Sequence, residues 1–176
     1  MPGIDETREF TPIQLVVLTI SDTRTEDDDR SGALLVERAT TAGHRVLEKR
    51  IVPDDLEGLK RTFVELSERD DVDAIVTTGG TGLTGRDITP EAIEAVRDKD
   101  IPGFGELFRQ ISYGIIGTST IQSRACAGVR RGTYVFCLPG STSACRDGWD
   151  QILGFQLDSR YRPCNFVEIM PRLTEA

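Results

Sequence analysis

The sequence is poor in basic charge, in histidine and in aromatic side chains. It carries 21 Lys and Arg against 29 Asp and Glu, a formal net charge of −8, one histidine and 6% aromatic residues. A surface with that excess of carboxylates repels nucleic acid and anionic lipid. The longest basic run, Arg130-Arg131, reads as a solvated turn ahead of a strand, so no nucleic-acid partner is expected. The four cysteines, Cys126, Cys137, Cys145 and Cys164, include no C-x-x-C pair. With only His44 beside them they make neither a common zinc site nor a disulfide framework. No apolar run approaches the roughly 20 residues that span a bilayer, and residues 1–10 lack the apolar region of a signal peptide. The expectation is a cytoplasmic protein with no membrane partner.

What is present describes a protein of one domain. At 176 residues a chain buries roughly 68–70% of its unfolded surface, enough for a core of its own. A hydrophobic share of 38% is low and a charged share of 28% ordinary for a globular fold. Residues 1–10 read as a flexible segment, 11–166 as a single α/β domain and 167–176 as a tail. Ile13–Ile20 is a nearly continuous apolar run, as a parallel strand covered on both faces should be. Ser31 is placed to cap a helix through Ala42, with Gly43 as its stop. Arg45–Ile51 reads as a strand, and Asp54 or Asp55 caps a helix bearing Leu56, Leu59, Phe63 and Leu66. Asp73–Thr78 is a third strand. Thr89-Pro90 opens a helix as N-cap and first residue. Helix is expected over Glu106–Ser112, no assignment is made for 113–124, Thr133–Leu138 is a strand, and a helix starts near Thr142. This alternation predicts an α/β three-layer sandwich, a mostly parallel central sheet with helices on both faces. Ligands then bind beyond the carboxyl ends of the strands, where residues 21–32, 77–88 and 138–142 collect.

Thr77-Thr-Gly-Gly-Thr-Gly82 is the strongest local signal. Clustered glycines let backbone N–H groups converge on an anion, and the hydroxyls of Thr77, Thr78, Thr81 and Thr84 add donors. The positive end of the Thr89 helix lies nearby. No P-loop lysine follows. Gly80-x-Gly82-x-x-Gly85 matches a dinucleotide fingerprint in letters, but at the third strand and with Pro90 delaying the helix. Asp87 and Asp54 follow the third and second strands. Carboxylates beside a phosphate call for a cation between them, which points to Mg²⁺. Asp22 ends the first strand, whereas the acidic run Glu26–Asp29 reads as a solvated loop. Leu138-Pro-Gly-Ser-Thr142 is a second corner with glycine and hydroxyls. His44 supports no nucleophile system.

Together these residues resemble the MoaB/Mog family of molybdenum cofactor biosynthesis proteins. The matching segments are Ser21-Asp22, Ser31-Gly32, Thr77–Gly82, Arg86–Glu91, Pro102–Glu106, Ser123-Arg124 and Leu138–Gly140, in the family's order; Gln156–Phe166 is similar to its B branch. The resemblance implies transfer of an adenylyl group from ATP, with Mg²⁺, to the phosphate of molybdopterin. It implies a homotrimer or homohexamer and handover of product to a metal-insertion protein. Carried onto this sequence, the family's two important aspartates are Asp54 and Asp87, as catalytic and metal-holding residues. Binding of substrate falls to Ser21, Asp22, Ser31, Gly32, Thr78, Gly79, Gly80, Thr81, Gly82, Glu106, Gly140 and Ser141. Phe104, Phe108 and Ile111 are candidate interface residues. Two alternatives stand beside this reading: a catalytically silent molybdopterin carrier of the same fold, and a nicotinamide-dependent oxidoreductase.

Overall fold

Six of the seven residues in Gln14–Ile20 (β2) are buried, and the sheet is organised around this strand. In a computed structural model that describes residues 1–175, β2 pairs in parallel with Arg45–Val52 (β3) on one side and Ala74–Thr78 (β4) on the other. Thr133–Leu138 (β7) pairs in parallel with β4. Cys126–Arg130 (β6) then joins antiparallel to β7, and Lys99-Asp100 (β5) closes the order β3-β2-β4-β7-β6-β5. The register aligns Ile20 with Val52, Thr19 with Thr78, and Thr78 with Leu138. Four strands therefore end level, and their loops leave one edge together.

Period-two alternation along β2 sorts the core into two layers. Leu15 and Val17 pack with Leu35 and Ala39 of Arg30–Thr41 (α1) and with Phe104 and Phe108 of Pro102–Ile116 (α4). Cys145 of Thr142–Gly148 (α5), and Trp149, Ile152 and Leu153 just beyond, complete that side. Val16, Leu18 and Ile20 face Leu59, Phe63 and Leu66 of Leu56–Ser67 (α2) and Ala92 and Ile93 of Thr89–Val96 (α3). Each fully buried apolar side chain contributes roughly 1.5–3 kcal/mol. The expected three-layer sandwich is the observed one.

Several expectations are corrected. Asp29, not Ser31, caps α1: its carboxylate accepts from Gly32 N–H at 2.9 Å, from Thr19 Oγ1 at 2.7 Å, and pairs with Lys49 Nζ at 3.0 Å. The acidic run thus ends in a buried, fully partnered carboxylate. Burial pushes the Asp29 carboxyl up, but these bonds outweigh it and hold it low. Thr89 caps nothing; its hydroxyl donates to Gly79 O at 2.9 Å and its N–H to Gly80 O at 3.0 Å. The antiparallel β6 escaped sequence reading because Arg131 and Gly132, both with positive φ, make a two-residue hairpin turn. Helix α4 runs on to Ile116, followed by a 3₁₀ segment, Gly117–Gln122.

The first ten residues, expected to be flexible, carry Gly3-Ile4 (β1), which pairs with Tyr161-Arg162 (β8). Arg8 binds Glu168 at 2.6 Å, and Thr11 N–H donates to Ser159 Oγ at 2.8 Å. Beyond Phe166, in place of a loose tail, Val167, Met170 and Leu173 pack on the core. No helix among the described residues is long and apolar enough to cross a membrane.

His44 is buried between Phe10 and Trp149, accepts from Ile13 N–H through Nδ1 at 3.4 Å, and leaves Nε2 without a partner. Burial pushes its pKa below the ordinary 6.5, against an opposing pull from Asp158. The unfolded chain therefore takes up this proton first as pH falls, and stability present above pH 6.5 is lost below it. Urea midpoints should fall between pH 7.5 and 5.5, and His44→Gln, which keeps an acceptor, should flatten that slope.

Candidate functional site

The level strand ends enclose a cavity of about 760 Å³ lined by all three loops. Ser21, Asp22, Ser31, Asp54, Thr78, Gly79, Gly80, Thr81, Gly82, Asp87, Gly140 and Ser141 line it. The structure brings together twelve of the residues singled out from sequence. Two stand elsewhere. Gly32 lies behind the site, where a Cβ would meet Asp29 Oδ2 at 2.2 Å, so its absent side chain serves the α1 cap. Glu106 faces a second cavity of about 500 Å³, beside Arg109 and Arg97.

The glycine loop is built by close backbone contact. Gly79 has φ +105°, donates to Leu138 O at 3.0 Å, and would carry a Cβ 2.3 Å from Ile20 O. Only glycine fits there. Thr78 Oγ1 donates to Pro139 O at 3.1 Å and joins the two corners. Of the threonines expected to reach a ligand, Thr78 and Thr81 line the cavity. Thr77 points into the core with its hydroxyl unpartnered, and Thr84 spends its hydroxyl on Asp87 at 2.7 Å. A Cβ on Gly85 would meet nothing within 4 Å, and α3 starts only at Thr89. The third glycine of a dinucleotide fingerprint packs at the helix start, so that motif is not built here.

Because Asp55 caps α2 through Gly58 N–H at 2.8 Å, Asp54 is free to face the cavity. Asp22 and Asp54 brace each other. Asp22 N–H donates to Asp54 Oδ2 at 3.1 Å, and Asp54 N–H donates to Asp22 Oδ1 at 3.0 Å. Arg86 pairs with Asp22 across the cavity mouth. Burial, and then the charge of Asp87, push the Asp54 carboxyl above its ordinary value. Burial pushes Asp87 up too, but hydrogen bonds from the Thr84 hydroxyl and the Thr84 and Gly82 amides, with Arg124 nearby, bring it down on balance. Asp87 is thus held ionised while Asp54 bears the repulsion. Among the described residues no group of three or more His, Cys, Asp or Glu could enclose a metal. Two facing carboxylates suit a hard cation such as Mg²⁺, which takes one or two carboxylates and completes its shell from phosphate oxygens and water.

Sequence reasoning gave no ligand-facing role to the apolar and hydroxylic wall from α4 onward: Phe108, Ser112, Ile116, Ser119, Thr120 and Gln122. Phe108 was read as interface material, and Ile116, Ser119, Thr120 and Gln122 fall in the unassigned stretch where α4 gives way to the 3₁₀ turn. Arg24, Arg86 and Ser123 were likewise not counted, although they line the cavity.

Fold and site together define a class: an α/β domain with a glycine-rich strand-end cavity beside paired carboxylates. The family described as "Probable molybdopterin binding domain" matches residues 16–159. "Molybdenum cofactor biosynthesis protein B" of Escherichia coli (strain K12) is 48% identical over 158 residues, 90% of this chain and 93% of that protein. "Probable molybdopterin adenylyltransferase" of Methanocaldococcus jannaschii is 38% identical over 141 residues, 76% of this chain and 83% of that protein. A crystal structure of a molybdenum cofactor biosynthesis protein B superposes with TM-score 0.82 at 44% identity, covering 85% of this chain and 94% of the other. The chain belongs to the MoaB/Mog family of molybdenum cofactor biosynthesis proteins.

A carboxyl pushed up by folding weakens the folded state above its ordinary pKa of 3.8, and the penalty is relieved as pH falls through the raised value. Asp54→Asn should therefore raise the urea midpoint at pH 7, since its amide oxygen still accepts from Asp22 N–H. A lowered midpoint would mean that the carboxylate is a structural brace.

Proposed function

We propose that the protein adenylylates molybdopterin, using ATP with Mg²⁺ and releasing pyrophosphate. The observation that carries this reading is the facing pair Asp54 and Asp87 in a cavity otherwise lined by hydroxyls, glycine backbone and a short apolar wall. The printed name of the Methanocaldococcus jannaschii relative supports the reaction type. A binding-only pocket has no need of two carboxylates that raise each other's energy.

In this reaction an oxygen of the molybdopterin phosphate attacks the α-phosphorus of ATP. The bond from that phosphorus to the bridging oxygen breaks in line, and pyrophosphate leaves. The protein's contribution is positioning and charge neutralisation. Gly80 and Thr81 receive phosphate on backbone N–H groups and the Thr81 hydroxyl, while Thr78, Gly79 and Gly82, whose donors are spent on Pro139 O, Leu138 O and Asp87, hold the loop that presents them. Gly140 and Ser141, with Ser21 and Ser31, border the pterin. Asp22 holds Asp54 in place through the reciprocal bonds of the two loops. Asp54 and Asp87 would hold Mg²⁺, which when bound neutralises charge on the nucleotide phosphates.

A cytoplasmic homo-oligomer, trimer or hexamer, that hands its product to a metal-insertion protein completes the reading. Phe104 and Phe108, read from the sequence as interface candidates, are buried in this chain's own core, and Ile111 packs against it. The exposed apolar side chains of the same helix and the turn after it, Leu107, Tyr113, Ile115, Ile116 and Ile121, are the candidates in their place. On gel filtration with light scattering the protein should run as three or six copies, and Ile115→Glu with Ile121→Glu should shift it toward monomer.

The deciding experiment incubates purified protein with molybdopterin, ATP and Mg²⁺ and follows adenylyl-molybdopterin. Product should form, and Asp87→Asn should reduce it at least about 100-fold while leaving molybdopterin binding largely intact. Binding without product in the wild type would favour the silent carrier.

A further inference from the structure

Arg124 stands behind the glycine loop, outside the residues that line the large cavity. Its backbone N–H donates to Thr81 O at 3.0 Å, its Nε to Gly82 O at 2.7 Å, and its Nη2 to Asp87 O at 2.7 Å. Its Nη1 meets Glu91 on the first turn of α3. One residue thus satisfies the carbonyls at both ends of the 82–87 loop. Only a planar guanidinium presents donors in the fixed fork this needs; a lysine ammonium is a point charge.

Leu83, Thr84, Gly85 and Arg86 between those ends are exposed. The Thr84–Asp87 bonds are internal to the loop, so they shape it without anchoring it. Trans peptide planarity carries the restraint across to the ligand side. With the Thr81 carbonyl turned to Arg124, the Gly82 N–H points the other way, toward the Asp87 carboxylate. A Cβ on Gly82 would lie 2.8 Å from Asp87 Oδ2.

We propose that Arg124 is a positioning residue: held by Glu91, it clamps the Gly82 and Asp87 carbonyls and so fixes where the Asp87 carboxylate stands in the cavity. Its catalytic consequence rests on the adenylylation reading; the clamp itself does not.

Arg124→Lys, Arg124→Ala and Glu91→Gln separate positioning from general stability. Hydrogen–deuterium exchange of the substrate-free protein reads the clamp directly. In Arg124→Lys, peptides covering residues 81–88 should exchange several-fold faster while the β2 and β7 peptides stay protected. At saturating substrates kcat for adenylyl-molybdopterin should fall roughly 10–100-fold, with KM for molybdopterin little changed. Glu91→Gln should shift both in the same direction by less. If Arg124→Ala does not fold, the other two variants carry the test. Wild-type exchange over 81–88 in Arg124→Lys overturns the clamp, whatever the rate does. Faster exchange with an unchanged kcat overturns its link to Asp87. A wild type that makes no product sinks the adenylylation reading alone, and the exchange result still decides the clamp.

Discussion

The site depends on one close approach, that of the Gly79 backbone to the end of β2. A Cβ there would press to 2.3 Å from Ile20 O, and the same residue bonds Leu138 O through its N–H and Thr89 Oγ1 through its carbonyl. Three strand ends and the start of α3 are thereby fastened at a single peptide. Were β4 to end a residue later, alternation would turn Thr78 into the core and its bond to Pro139 O would be lost. The cavity floor is rigid because backbone polar groups satisfied by one another leave no cheap alternative conformation.

Above that floor the carboxylates are arranged in a graded way. Asp29, buried and paired with Lys49, Thr19 and Gly32, belongs to the scaffold. Asp22 and Asp54 exchange backbone bonds and tie the loop after β2 to the loop after β3. Asp87 accepts from its own loop and is held ionised, and Asp54 faces it with its carboxyl pushed up. The strain of that last pair is local, and no basic side chain among the described residues pairs with Asp54. Unrelieved charge of this kind gathers where a ligand completes the balance.

Much of this was legible in the sequence because its signals are local. The apolar run of β2, the helical spacing of Leu59, Phe63 and Leu66, and the glycines after Thr78 each announce themselves within a few residues. The register that levels the strand ends then follows from parallel pairing, so residues 21–31, 78–87 and 139–141 were foreseeable as neighbours. Several misreadings are choices between neighbouring residues, or between inside and outside. Asp29 and Ser31 differ by less than a turn, Asp54 and Asp55, left open as caps of α2, are adjacent, and all of these residue types can cap. Phe104 and Phe108 share a helix with exposed Leu107, and only tertiary packing decides which stripe faces the sheet. Arg124 stands out in sequence only within the family-like pair Ser123-Arg124; its clamp is not legible there because its loop partners are carbonyls about forty positions away, and carbonyls leave no mark in a sequence.

The global charge sharpens what the site has to do. In the proposed reaction a chain of net charge −8 brings two phosphorylated substrates into a cavity whose lining carries Arg24 and Arg86 against Asp22, Asp54 and Asp87. Arg86 is already engaged by Asp22. Long-range attraction therefore cannot gather these ligands, and short-range bonds must hold them: backbone N–H groups and hydroxyls bind an anion without a formal charge. In the proposed reaction that favours a nucleotide arriving with its own divalent cation. Asp54 and Asp87 repel a bare triphosphate yet attract one whose charge Mg²⁺ has covered. The same pair would then discriminate between free and metal-bound ATP, which makes the placement of Asp87, and of the loop that carries it, a condition of selectivity as well as of rate.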